Sequence, residues 1–261
     1  MPRPTAGELE ALIRKCLASF YSRRIQALDN LKLFDVISRK NPYLFRANGV
    51  ASATEMVRGL MSAHVSSSDE GIFAEEFFEP IVKAVSKQLA TVIAAAKGAD
   101  FVVETDDSYE VIALKSGPRI FNSSQSEKQG EQFQAIERSV RATLRGMRKQ
   151  FVPIMGCCYG RADLQPSEKR PFFKLAGQAF WERVTGDPEF YLKLSRLMKD
   201  DPDRHKIAFA ETWARAENRF VREFTERFCA ADGKILWDLL VQYNSGRTKP
   251  KFEKPTAKRL S

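Results

Sequence analysis

Apolar residues in the first part of the chain fall at helical spacing. Leu9, Leu12, Ile13, Cys16, Leu17 and Phe20 share one stripe, and LDNLKLFDVI continues in the same style to about Arg46. Helices are therefore expected to open the protein. HVSSSDEG then offers Ser and Asp as N-caps for a long helix through IFAEEFFEPIVKAVSKQLATVIAAAKG, which Gly98 should end. Pro80 falls inside that pattern, so the helix either begins near Glu79 with the proline in its first turn or kinks there.

The period changes at Asp100. FVV is a short β-branched run, TDDS supplies turn residues, and YEVIAL is a second apolar run ending at Lys115, which together predict a β-hairpin. SGPRIFNSSQSEKQG reads as a polar loop. Phe133, Ile136, Val140, Leu144, Met147 and Phe151 then mark the apolar stripe of another helix, and VPIMGCCYG a further strand. The remainder is helical: FWERVTGDPEFYLKLSRLMK, a long amphipathic run from Ile207 to Phe228, and KILWDLLVQYNSG. The basic tail, 247–261, has few apolar anchors and is expected to be flexible. This order implies an α/β fold, a central mixed sheet flanked by helices with additional N- and C-terminal helices. In chain order the expected regions are an N-terminal helical segment (1–64), a core (65–165), a C-terminal mainly helical region (166–246) and the tail. No internal repeat is visible.

At 261 residues the chain can bury a core of its own. No apolar run approaches the roughly 18 residues of a membrane span, and the opening MPRPTAGELE lacks a signal peptide's apolar stretch, so a cytoplasmic protein with no membrane partner is expected. Cys16, Cys157, Cys158 and Cys229 show no zinc-like spacing and read as buried thiols. The formal charge of +9 favours a polyanionic partner if the excess gathers on one face.

The hairpin carries the candidate chemistry. Hydrolysing a phosphodiester at neutral pH calls for a divalent cation that binds the phosphate and lowers the pKa of a water. Mg²⁺ is satisfied by a few carboxylate oxygens, with waters and phosphate completing its octahedron. Residues two apart on a strand share a face, so positions 113 and 115 are expected to project together while Leu114 points into the core. Lys115 can then orient the attacking water or neutralise developing charge.

Asp100 in GADF, Lys115 in IALKSG and the extension SGPRIFNSSQ resemble the PD-(D/E)XK nucleases, and within them the PmeII-like type II restriction endonucleases. The similarity continues through GCCYGR, GQAFWERVTGD and GKILWDLLVQYNSG, from about His64 onward. KSGP followed by NSSQ is its most specific part. The resemblance implies Mg²⁺-dependent cleavage of double-stranded DNA at a short palindrome by a homodimer. It implies catalytic positions at Asp100, Ala113 and Lys115, and metal contacts from Asp100 and the Leu114 carbonyl, with Glu79 as an auxiliary ligand.

Ala113 departs from the pattern, which places Glu or Asp there. Three explanations stay open: a Glu-to-Ala change that holds DNA without cutting, migration of the carboxylate to Glu127 or Glu131, or an inactive natural homologue. Glu110 should face the opposite side as a solvent-exposed strand carboxylate, and Glu104, Asp106 and Asp107 read as turn residues. For DNA binding, Ser116, Arg119, Asn122, Ser123, Ser124 and Gln125 offer hydroxyl, amide and guanidinium donors. Arg138, Arg141, Arg145 and Arg148 form a basic helical stripe, and Tyr159 and Arg161 leave the CCYGR strand nearby. His64 and His205 read as structural. The rival readings are a repair or recombination nuclease of the same superfamily and a non-catalytic DNA-binding protein.

Overall fold

The structure is a computed structural model that describes residues 5–86, 91–94, 98–117, 123–199, 202–248, 250 and 252. Four helices open the chain: α1 (Ala6–Asp29), α2 (Leu33–Ile37), α3 (Pro42–Ala47) and α4 (Ala53–Phe73). A π-helical turn, Ala74–Phe78, leads into α5 (Glu79–Ser86). Pro80 thus lies inside a helical run that is continuous from Ala53 to Ser86, directly after the π-turn, which is the interrupted-helix alternative rather than a fresh helix start.

Two expectations fail here. HVSSSDEG lies inside α4 and caps nothing; Ser67 Oγ instead donates back to the Ala63 carbonyl at 3.0 Å. The cap of α4 is Ser52, whose Oγ accepts the Glu55 N–H at 3.2 Å while Glu55 Oε2 accepts the Ala51 N–H at 3.0 Å, in the manner of a capping box. The long helix expected to reach Gly98 also stops early. Thr91–Ala94 forms strand β1, because three consecutive β-branched residues gain more as a sheet edge than as a helix.

The hairpin is present as β2 (Phe101–Glu104) and β3 (Ser108–Lys115), antiparallel with Phe101 opposite Ile112 and Glu104 opposite Tyr109. After β3 comes α6 (Ser123–Met147), which begins within the stretch read as loop, so Ser123, Ser124 and Gln125 form its first turn. Arg148, at φ 58°, ends α6, and Phe151 belongs to the following strand rather than to the helical stripe. That strand, β4 (Gln150–Cys157), runs parallel to β3, as a crossover through a helix requires. Two strands not anticipated follow, β5 (Ala162–Leu164) and β6 (Phe173–Ala176). They are short, and β5 is an exposed edge, so neither leaves a two-residue apolar alternation long enough to read. Among the described residues the sheet order is β1-β2-β3-β4-β6-β5, with β3, β4 and β6 mutually parallel. The expected mixed sheet flanked by helices is therefore observed. Helices α7 (Gln178–Thr185), α8 (Phe190–Leu197), α9 (Pro202–Phe228) and α10 (Trp237–Ser245) complete the chain. No described helix is long and apolar enough to cross a membrane.

The chain divides into two compact units whose segments interleave: residues 1–20 with 70–200, and residues 21–69 with 201–261. The first holds the sheet. On one face Val102, Val111, Ala113 and Met155 pack against Phe133 and Ile136 of α6, with Phe172 closing the cluster. On the other, Phe180 of α7 lies so close to Gly156 that a Cβ there would stand 2.1 Å from its ring, so only glycine admits the helix. The second unit is helical and is filled by Leu28, Leu33, Met56, Leu60, Phe220, Phe224, Phe228, Leu240 and Tyr243. Phe252 of the tail packs against Phe34, Phe228 and Tyr243, one apolar anchor in a segment expected to be loose.

Candidate functional site

Asp100 sits at the turn into β2, and its place is fixed by one main-chain and one side-chain hydrogen bond. Its N–H donates to the Ile112 carbonyl at 2.8 Å, and its carboxylate Oδ2 accepts the Leu114 N–H at 2.6 Å. The exposed carboxylate of Asp100 is thereby held against the segment joining position 113 to Lys115. A charge-assisted bond of this kind fixes geometry and leaves a carboxylate at the mouth of the sheet. Gln129 of α6 is buried and donates to the Gly98 carbonyl at 2.8 Å, which anchors the turn from behind.

Lys115 ends β3 half-buried, opposite Cys157 in the ladder. Burial pushes the Cys157 thiol up to about 11, against the opposing pull of the Lys174 and Lys115 charges. Cys158 is pushed further in the same direction by burial. Both are inert as nucleophiles at neutral pH. Cys16, Cys157 and Cys158 are buried free thiols, as expected, and Cys229 is half-buried.

The segment after Lys115 is strapped down. Cys158 N–H donates to the Lys115 carbonyl and Tyr159 N–H to the Ser116 carbonyl, both at 3.1 Å. The Tyr159 ring covers Gly117, where a Cβ would meet it at 2.5 Å, and its hydroxyl donates to Glu70 at 3.2 Å. Burial and the Glu70 carboxylate raise the pKa of that phenol. Ser116 is buried at 8% exposure, so its side chain stands inside this corner rather than on an open loop. Tyr159 and the exposed Arg161 line a groove of about 1020 Å³ whose other walls include Phe78, Trp181, Tyr191 and Met198.

Contrary to the expectation that Leu114 would point into the core, it is Ala113 that is buried, at 2% exposure among Val111, Phe133, Ile136, Met155 and Phe172, while Leu114 is half-buried. The two carboxylates considered as replacements, Glu127 and Glu131, are exposed on α6, roughly half a turn around the helix from the buried Gln129 and Phe133. They face away from the sheet. Glu79 opens α5 and pairs with Lys83 one turn on. Among the described residues no group of three or more His, Cys, Asp and Glu is placed to hold a metal.

Two carboxylates are not where the sequence suggested. Glu110 does face the side opposite position 113, but it is buried at 7% exposure rather than solvated, and pairs with Arg183 of α7 while accepting from Ser108 at 3.3 Å. Glu104 is a strand residue bound to Lys149 at 2.7 Å, not a turn residue. Their basic partners lie 73 and 45 positions away, which no local pattern reveals.

Of the expected DNA contacts, Arg119 and Asn122 lie outside the described residues, as does the side chain of Ser123. Ser124 and Gln125 are exposed in the first turn of α6, which carries no acidic residue to repel an anion. Arg138, Arg141 and Arg145 are exposed further along the helix, with Arg141 3.5 Å from Glu137. At about 1.5 Å per residue they stand roughly 20–35 Å from its N-terminus. The structure thus brings Asp100, position 113, Leu114, Lys115, Ser116 and Tyr159 to one end of β3 and β4, and spreads the arginines toward the other.

In comparisons with known proteins, the family model described as type II restriction endonuclease EcoO109I matches residues 7–206, more than half of the chain. Comparison with curated proteins yields no match.

Proposed function

The chain belongs to the type II restriction endonuclease EcoO109I family, and on that premise we propose that it binds double-stranded DNA as a homodimer at a short palindrome, through a Mg²⁺ site of the PD-(D/E)XK kind. The observation that carries this reading is the Asp100 carboxylate fastened to the Leu114 N–H, beside position 113 and next to Lys115. Such a pairing of a carboxylate with a lysine, on register-locked strands, is what a scissile phosphate needs.

The residues present fit a Mg²⁺ that takes most of its ligands from DNA and water. Mg²⁺ commonly uses only one or two carboxylates plus substrate phosphates, and Asp100 with the Leu114 carbonyl supplies that minimum; Glu79 is a further candidate from α5. When bound, the ion lowers the pKa of a water and stabilises charge on phosphorus. Lys115 would orient the attacking water or offset negative charge on the phosphate oxygens. Arg119, Asn122, Ser123, Ser124 and Gln125 hold the nearby backbone and base edges, while the buried Ser116, with Gly117 kept in place by Tyr159, shapes the corner they leave rather than touching DNA. Arg138, Arg141 and Arg145 bind phosphates farther from the cut. The finer kinship to the PmeII-like group, read from KSGP and NSSQ, belongs to this same proposal.

Position 113 decides whether the chain cuts. Its burial in an apolar cluster favours a second reading, a DNA-binding protein without hydrolysis. Both proteins, the chain and Ala113→Glu, should be incubated with long natural duplex DNA and Mg²⁺. The expected outcome is discrete fragments ending at one palindrome from Ala113→Glu, and binding of the same sequence without cleavage by the unmodified chain. If both bind that palindrome and neither cuts, position 113 is not the missing ligand and the binding-only reading stands. Cuts at ends or junctions regardless of sequence would assign a repair nuclease instead.

A further inference from the structure

We propose that Lys174 is a second phosphate-binding cation of this site, holding a phosphate that flanks the one beside Lys115. The proposal rests on the DNA-binding reading above. Strand β6 places Lys174 opposite Met155, which in turn stands opposite Ala113. Residues in register across neighbouring strands project to the same side. Phe172, two positions before Lys174, confirms the side, since it packs with Val111, Ala113 and Met155.

Lys174 therefore stands half-buried on the face that carries position 113 and Lys115. The adjoining row is Lys115, Cys157 and Ala176, so Cys157 lies between the two lysines, and their two charges are the ones that oppose the effect of burial on its thiol. With strands about 4.8 Å apart and a rise of about 3.3 Å per residue, the diagonal separates the two Cα atoms by about 12 Å. Two flexible four-carbon stems across that span can deliver their ammonium groups to neighbouring phosphates of one strand. A half-buried lysine can also simply lay its stem along apolar residues such as Met155. DNA separates these two roles.

The test is lysine acetylation of the full chain, read by mass spectrometry, with and without long natural duplex DNA held uncut by Ca²⁺. Lys115 and Lys174 should be protected together, several-fold. Protection of Lys115 with Lys174 unchanged overturns the proposal and leaves the functional reading intact, whereas no protection of either overturns both. Lys174→Met and Lys174→Arg give a second measure. Methionine should reduce the slope of log affinity against log salt by about one, and arginine should keep it. Equal slopes in both variants would make Lys174 a structural residue.

Discussion

The two compact units of this chain use their helices for different ends. In the unit formed by 1–20 and 70–200, helices cover a sheet, and polar side chains gather where the strands stop. In the unit formed by 21–69 and 201–261, helices pack on helices around Phe220, Phe224 and Phe228, and polar groups serve caps and ion pairs such as Arg24 with Asp69. Every residue nominated for chemistry lies in the first unit. The difference has a physical origin. A ladder fixes which residue stands opposite which, so side chains on and beside neighbouring strands keep their places. Asp100 shows this: its N–H donates to the Ile112 carbonyl, and its carboxylate is then in reach of the Leu114 N–H. Helix packing fixes faces but tolerates small slides, which suits a core better than a reactive centre.

The largest effect that could break this division concerns Asp100. In the Ala113→Glu protein, Asp100→Asn should lower the cleavage rate by about 1,000-fold or more, equivalent to about 4 kcal/mol of barrier. Thermal unfolding should hardly move, because asparagine still accepts the Leu114 N–H. A double variant that cuts normally would move the chemistry away from the sheet and dissolve the contrast. Next in size is the helical core. Phe224 is fully buried, and Phe224→Ala should cost about 3–5 kcal/mol in denaturant unfolding. A loss under about 1 kcal/mol would mean that the aromatic cluster does not hold that unit together.

The helical unit was also the easier one to read. Its α9 carries a stripe of five or more turns and emerged from periodicity with only its ends uncertain, as did α1, whose stripe from Leu9 to Phe20 belongs to the sheet-bearing unit. The hairpin and β4 were legible because they are apolar runs bounded by turn residues. β1, β5 and β6 were not, since strands of three or four residues owe their state to the partner beside them rather than to their own sequence. The same split runs through the site. Asp100, Lys115 and the parity of Glu110 followed from spacing along one hairpin, whereas the Glu110–Arg183 pair, the Tyr159 strap on Gly117 and the row reaching Lys174 depend on contacts between distant segments.

Smaller effects refine the contrast from the helical side. Ser52→Ala should remove the acceptor for the Glu55 N–H and cost about 1 kcal/mol, measured by thermal unfolding. A neutral result would show that Glu55 alone keeps the start of α4 satisfied through the Ala51 N–H.

The smallest expected effect is a pH response at His64. Burial lowers its pKa below 6.5, and the neighbouring Lys40 and Arg39 charges act in the same direction. Lys40 is held there by its bond to the Ala63 carbonyl at 2.8 Å. A folded-state pKa below the unfolded one means that the unfolded chain takes up the proton first as pH falls. Stability is then fully present above pH 6.5 and declines as the pH drops below it toward the lower folded value. His64 is half-buried, so water screens the charge and the decline should be shallow. Denaturant midpoints measured from pH 7.5 down to pH 5.5 should show it, and His64→Gln should flatten that part of the curve. If acid instead stabilised the folded chain, a carboxylate rather than Lys40 would be the group governing His64, and the packing described for the helical unit at that point would be wrong.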